Sequence, residues 1–376
     1  MVLRTKGTSL LSFIDLDNNE SQNNNNLILK TITNVNNPHS IHGIYPYRGK
    51  ISSVDVSVII SQLQKGMTLL DPFCGTGTIV YEAYRYGMNV IGVDNNPLAV
   101  VIAKGKMNLV GMNRESIIKK ATKLVHSAKS LRNAAKMPSD SKKAFHSTTA
   151  DEIMRIANFY DKMPDYLRAV FLGTVCLAAR GCNHYLWTST SVGKDINPKK
   201  YVNFYEKFLQ KVKKHLYPLS NESSYQIHFH DSRELKQIVE PGIVDYVFTS
   251  PPYFDALDYT SYYARFIYPI IGLDRTEVRR QLIQNVKTYE EDMKRVLSQI
   301  DIITKNNALI IFVVGDKKMS DGTIINGGKF FSKLLHHKPN HVYERNYTST
   351  PSRQIWDTIN KTKRKEQIVI WDKSTW

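Results

Sequence analysis

The chain has 376 residues, 42% of them hydrophobic and 23% charged, proportions that fit a folded soluble protein and exclude a disordered one. Fifty-one Lys and Arg against 34 Asp and Glu leave a formal charge of +17, which suits either a polyanionic partner or merely a basic, soluble surface. Three cysteines, no run of roughly 18 apolar residues and no secretory leader argue against a disulfide framework, a membrane span and export, and for a cytoplasmic protein.

Length allows one domain with a large insertion, or two domains. Residues 1–38 hold the asparagine runs 18–26 and 34–37, which offer little to bury, and are expected to form a mobile arm with a short ordered piece at 27–32. Segment 53–63 fits a helix packed on a core, although its β-branched run also allows a strand. From residue 67 the pattern is strand (67–70), glycine-rich turn (71–78), helix (79–86), strand (89–93), Asp94, and a helix opened by Asn96-Pro97. Strands follow at 225–229, 244–249, 308–314 and 367–371. This alternation predicts an α/β fold with a mainly parallel, Rossmann-like sheet and helices on both faces. Residues 39–110 and 221–376 form the sheet domain. Residues 111–220 read as a mostly helical basic insertion, with apolar and amphipathic helices at 166–179 and 201–216.

The segment Asp71-Pro72-Phe73-Cys74-Gly75-Thr76-Gly77-Thr78 follows an apolar strand and precedes a helix, where glycines let the backbone approach a ligand. An acid after the next strand, Asp94, can accept both hydroxyls of a ribose. The turn lacks the Gly-Lys-Ser/Thr ending of a phosphate loop and the three glycines of the dinucleotide fingerprint. A cofactor with a ribose and no phosphate fits, and S-adenosylmethionine is such a molecule. A second motif, Thr249-Ser250-Pro251-Pro252-Tyr253, ends another apolar strand, where two prolines stop the ladder and stiffen the sheet's carboxyl edge.

Together DPFCGTGT, VDNNP, HDSREL and TSPPYFDALDY resemble the amino-methyltransferase family of DNA modification enzymes, over most of residues 42–112 and 225–376. The resemblance implies a cofactor site made from Asp71, Phe73, Cys74, Gly75, Gly77, Thr78, Asp94 and Asn95. It further implies that Asp231 bonds the cofactor's adenine amino group, and that Tyr45 and Tyr47 in HGIYPYRGK close over its methionine end. Asp231 reads equally as a helix cap. Ser250, Pro251, Pro252 and Tyr253 would bind and activate an extruded base, and serine in the first place is typical of cytosine-N4 enzymes, whereas Asp or Asn is more typical of adenine-N6 enzymes.

An exocyclic amino nitrogen is a poor nucleophile because its lone pair is delocalised into the ring. The Ser250 hydroxyl and Pro251 carbonyl could accept its protons and redirect that lone pair, while Tyr253 stacks on the base. No covalent base adduct is needed, so Cys74 need not be a nucleophile, and the Pro-Cys dipeptide of carbon-5 cytosine methyltransferases is absent from the chain. Cys176, Cys182 and His184 lack the paired spacing of a zinc site, and no metal is expected.

DNA contacts are expected from Lys119, Lys120 and Lys123 in a basic run, and from Arg180, Tyr185, Trp187 and Lys194, with His184, in a basic-aromatic stretch that packing could also explain. Asp258 and Tyr259 either line the pocket or cap the helix that follows. The expected activity is site-specific transfer of a methyl group to a DNA base, with a separately encoded restriction enzyme as an open partner. RNA-base amino-methylation and a catalytically silent nucleic-acid-binding subunit are the rival readings.

Overall fold

The computed structural model describes residues 40–47, 51–183, 200–220, 222–252, 258–261, 264–318, 321–349 and 362–376. The asparagine-rich arm therefore lies outside the described residues. A 3-10 turn at Ser40–Gly43 leads to α1 (Ser53–Ile60), a helix in which Val56, Ile59 and Ile60 are buried. Packing has outweighed the strand preference of the β-branched run. There follow β1 (Thr68–Asp71), α2 (Thr78–Tyr86), β2 (Asn89–Asp94) and α3 (Pro97–Met107). The start of α3 is set chemically: Asn96 Oδ1 accepts the Leu98 and Ala99 amides, and Pro97 occupies a position with no donor to lose.

The expected insertion is helical, with α4 (Arg114–Ser130), α5 (Ser139–Lys142), α6 (Ser147–Ala157), α7 (Asp165–Cys182) and α8 (Phe204–Lys214). α7 packs on α3, α8 on α7, and α4 on both α6 and α8. At Gly173 in α7 an added Cβ would stand 1.8 Å from the Ile44 carbonyl oxygen. Only glycine permits that approach of α7 to the segment carrying Tyr45 and Tyr47.

The chain returns to the sheet with β3 (Tyr225–Phe229), a 3-10 segment at Ser232–Gln237, and β4 (Val244–Thr249). Next come α9 (Ala264–Ile270), α10 (Arg275–Gln281), α11 (Tyr289–Ile303) and β5 (Thr304–Gly315). The small pair β6 (Lys317–Lys318) and β7 (Ile324–Ile325) precedes α12 (Gly327–Leu335), β8 (His341–Ser349) and β9 (Thr362–Asp372).

Seven strands form one sheet in the order β3-β2-β1-β4-β5-β9-β8. The pairs from β3 through β5 are parallel, and β9 runs antiparallel to both β5 and β8. Separate apolar cores cover the two faces, one built with α2, α3 and α7 and the other with α11 and α12. This is the expected α/β, Rossmann-like sheet. Its strand order reverses between β1 and β4, which opens a crevice at their carboxyl ends. β8 is an addition to the expected strands: Val342 and Glu344 are exposed on this edge strand, so it lacks the apolar run that marks the inner strands.

Candidate cofactor and base pocket

The crevice at the β1/β4 switch point holds a pocket enclosing about 720 Å3 of empty space, part of it open to solvent. The loop after β1 supplies Asp71, Phe73, Cys74, Gly75, Thr76 and Thr78; the end of β2 supplies Asp94, Asn95 and Asn96. Ser250 and Pro252, just beyond β4, face the same space, as do Tyr47, Tyr259, Leu282 and Ile283. The two motifs therefore open side by side into one pocket.

Local chemistry explains the shape of the β1 loop. Gly75 and Gly77 have φ of +50° and +68°, left-handed values that glycine adopts without strain. Asp94 Oδ2 accepts the Gly75 amide and Oδ1 the Asn96 amide, each at 2.8 Å. A carboxylate offers about four lone-pair sites, so acceptor capacity is left for a ligand. Burial pushes the Asp94 carboxyl up to about 6, although those two amides pull it down. Asp71 is buried, and its Oδ1 accepts both the Thr249 hydroxyl at 2.7 Å and the Phe73 amide at 3.2 Å. Burial raises its carboxyl to about 7. Burial, with Asp94 and Asp71 nearby, also holds the Cys74 thiol well above its ordinary value and therefore protonated.

A clasp of charges secures the Tyr47 segment. His42 Nε2 lies 2.7 Å from Glu82 Oε1, Lys106 Nζ lies 3.3 Å from His42 Nδ1, and Arg85 pairs with Glu82 at 2.7 Å. All of His42, Glu82 and Lys106 are buried, so the turn before Tyr47 is tied to α2 and α3 by paired groups. Tyr47 then stacks on Tyr259, with ring centroids 6.1 Å apart and planes 21° apart.

Asp258 and Tyr259, which the sequence left between two roles, divide them. Asp258 accepts the Thr260 amide and the Thr260 and Ser261 hydroxyls, shaping a turn, while Tyr259 lines the pocket. Leu282 and Ile283 are pocket residues that sequence reasoning missed; an apolar pair between helices carries no motif.

The remaining candidates lie elsewhere. Tyr45 is buried against Cys176 of α7 and does not line the pocket. Asp231 caps the 3-10 segment through the Arg233 amide and ion-pairs with the Arg233 guanidinium, outside the pocket lining. Its neighbour Ser232 instead donates to the Pro72 carbonyl of the β1 loop. Pro251 is buried behind Ser250, and the Tyr289 hydroxyl donates to the Pro252 carbonyl. Lys119, Lys120 and Lys123 are exposed on α4, whereas Arg180 is half-buried in the last turn of α7. Tyr253, His184, Tyr185, Trp187 and Lys194 lie outside the described residues. Among the described residues no helix is long and apolar enough to cross a membrane.

Comparison with known proteins agrees with the chemistry of the pocket. Residues 63–159 match the family model "Methyltransferase domain". The chain is 35% identical over 68 residues to the type II methyltransferase M.MjaII of Methanocaldococcus jannaschii, covering 18% of this chain and 13% of the relative. It is 35% identical over 85 residues to the type II methyltransferase M.BsoBI of Geobacillus stearothermophilus, covering 22% of this chain and 17% of the relative. The chain thus spans less than a fifth of the length of these curated relatives. Among solved structures, the rRNA methyltransferase aviRa from Streptomyces viridochromogenes aligns over 88% of each chain at 12% identity, with a TM-score of 0.35.

The pocket fits S-adenosylmethionine on its own terms. An acid with spare lone pairs follows β2, apolar walls can take an adenine, and the buried Thr78 hydroxyl lining the pocket has no hydrogen-bond partner. Residues 63–159 match a methyltransferase domain, and S-adenosylmethionine is the cofactor.

Proposed function

We propose that the chain is a DNA methyltransferase that transfers a methyl group to the exocyclic amino nitrogen of an extruded base, with cytosine N4 as the acceptor. The observation that carries this reading is the shared pocket: Ser250 and Pro252 face the same space as Asp71, Gly75 and Asp94. The similarity to segments of two type II methyltransferases and the charge of +17 favour DNA as the substrate.

When bound, S-adenosylmethionine supplies an electrophilic methyl group on a positively charged sulfur. Asp94 would hold the ribose, Phe73 and Ile283 would flank the adenine, and Thr78 and Tyr47 would contact the methionine end. Ser250 Oγ and the Pro251 carbonyl would accept hydrogen bonds from the two amino N–H groups and aim the nitrogen lone pair, and the proton released on methylation would pass to water. The Pro252 carbonyl is already engaged by Tyr289, which stiffens the loop. A planar base would be held by stacking on Tyr253, and serine rather than an acid at position 250 is the basis for choosing cytosine.

The test is incubation of the protein with DNA, RNA and labelled S-adenosylmethionine, followed by mass analysis of the nucleosides. N4-methylcytosine in DNA is the expected product. Label in RNA alone, or in no nucleic acid, would overturn the reading.

A further inference from the structure

Beside the pocket, the first turn of α9 holds a cation that is without an ion pair among the described residues. Arg265 is half-buried, its Nε is out of contact with water, and that nitrogen has no hydrogen-bond partner. Among the described residues Arg265 forms no ion pair. Its guanidinium lies 4.5 Å from the Phe266 ring. Burial, and then the nearby Arg275, work against its charge. The Nε–H group in this setting has lost hydration without gaining an acceptor, which costs free energy.

The nearby carboxylate is already engaged. Asp258 accepts from Thr260 and Ser261, pairs with Arg275 at 3.0 Å and lies 3.6 Å from Arg279. Among the described residues, then, no carboxylate pairs with Arg265. α9 also runs alongside the pocket: Tyr268, one turn beyond Arg265, donates from its hydroxyl to Asn96 Oδ1 at 2.9 Å. On another side Ser141 of α5 donates to the Phe266 carbonyl at 2.8 Å, which brings the exposed Lys142 and Lys143 toward the same helix.

We propose that Arg265, flanked by Arg275, binds a backbone phosphate of the strand that carries the target nucleotide, next to the point where the base leaves the stack. The proposal rests on the nucleic-acid reading of the pocket. A planar guanidinium matches a phosphodiester in geometry and charge. A base can enter the pocket only if its flanking phosphates are held at the mouth, and contacts of that kind position a strand without reading its sequence. The turn 258–261 links the two functions, because Arg275 bonds Asp258, Thr260 and Ser261 while Tyr259 between them lines the pocket.

The test compares the full-length wild type with Arg265→Ala and Arg265→Lys, measuring affinity for a DNA duplex from low to moderate salt. Arg265→Ala should weaken binding and reduce the slope of log affinity against log salt by about one. Arg265→Lys should keep most of the slope, because it keeps the charge, and lose part of the affinity, because it loses the fork. Affinity for S-adenosylmethionine, followed by calorimetry, should be unchanged in both variants and reports that they are folded. A comparator, Lys294→Gln on α11, removes one charge from an exposed i,i+4 pair and should leave the slope alone. An unaltered slope in a folded Arg265→Ala protein overturns the phosphate site, even with wild-type DNA methylation intact. Loss of S-adenosylmethionine affinity in both variants would make Arg265 a structural residue and overturn it equally. Wild-type protein that neither binds nor methylates nucleic acid would instead overturn the reading on which the proposal stands.

Discussion

The Thr249 hydroxyl donates to Asp71 Oδ1 at 2.7 Å, so the last residues of β4 and β1 are joined across the point where the strand order reverses. Both side chains are buried. This hydrogen bond extends the β1–β4 pairing to the start of the cofactor loop and the Ser250 loop. Thr249→Val keeps the shape and removes the donor. It should cost about 0.5–3 kcal/mol of stability, the range for a lost hydrogen bond to a neutral or charged acceptor, since Asp71 Oδ1 keeps the Phe73 amide. Methyl transfer should fall more than cofactor affinity, since the cofactor loop keeps its own contacts. Denaturant midpoints and single-turnover rates measure the two effects.

Asp71 also makes stability depend on pH. Its carboxyl is raised to about 7 by burial, and that of Asp94 to about 6. Between about pH 4 and these values the folded chain holds protons that the unfolded chain has released, so stability falls as pH rises through the window. Asp71→Asn removes its share while the amide oxygen can still accept from Thr249 and Phe73. Relative to this variant, wild type should lose stability from about pH 4 to about pH 7, most steeply near the middle of that span, and level off above it. Parallel urea midpoints that stay equally spaced across this range would refute the assignment.

Much of this site was legible in the sequence because its determinants are local. Glycines with positive φ at 75 and 77, the Asn96-Pro97 helix start and the proline stop after β4 are written in short stretches. Contacts made at a distance left no such mark. Asp231 is a cap with Arg233 two residues on as its ion partner, while Ser232 holds the Pro72 carbonyl, and only the fold distinguishes these uses. Leu282 and Ile283 reach the pocket because the Asn95 side chain binds the Gln281 carbonyl at 2.8 Å. β8 escaped detection because an edge strand need not be apolar on both faces.

Asp94 should contribute directly to cofactor affinity. Its carboxylate is the acceptor on the pocket side of β2 and is oriented by the Gly75 and Asn96 amides. Asp94→Ala should weaken S-adenosylmethionine binding by about 1.5–3 kcal/mol, the value of hydrogen bonds to a charged group. Calorimetry on the folded variant tests this, and unchanged affinity would remove Asp94 from the ribose site.

Tyr259 gives a second, aromatic handle on the pocket. Its ring lies nearly parallel to Tyr47, so removing it leaves one wall of the pocket without its stacking partner. Tyr259→Ala should reduce cofactor affinity by about 0.5–1.5 kcal/mol, whereas Tyr259→Phe should bind as wild type does. Equal losses in both would assign the effect to the hydroxyl rather than to the ring.

Ser250 is where chemistry and binding separate. Its side chain faces the pocket one residue beyond β4, and the buried Pro251 and the Tyr289-anchored Pro252 restrict the loop that carries it. If the hydroxyl accepts a hydrogen bond from the amino group that strengthens as the nitrogen attacks, its contribution is larger in the transition state than in the bound ground state. Ser250→Ala should then lower turnover by about 10–100-fold, with little change in affinity for S-adenosylmethionine. Tyr253→Ala should act differently, weakening capture of the extruded base by about 1–3 kcal/mol through loss of a stack. Single-turnover rates at saturating DNA isolate the first effect, and DNA-binding measurements isolate the second. A Ser250→Ala protein that turns over normally would transfer the role of hydrogen-bond acceptor to the backbone carbonyls, and N6-methyladenine as the sole product would overturn the choice of cytosine while leaving an amino-methyltransferase.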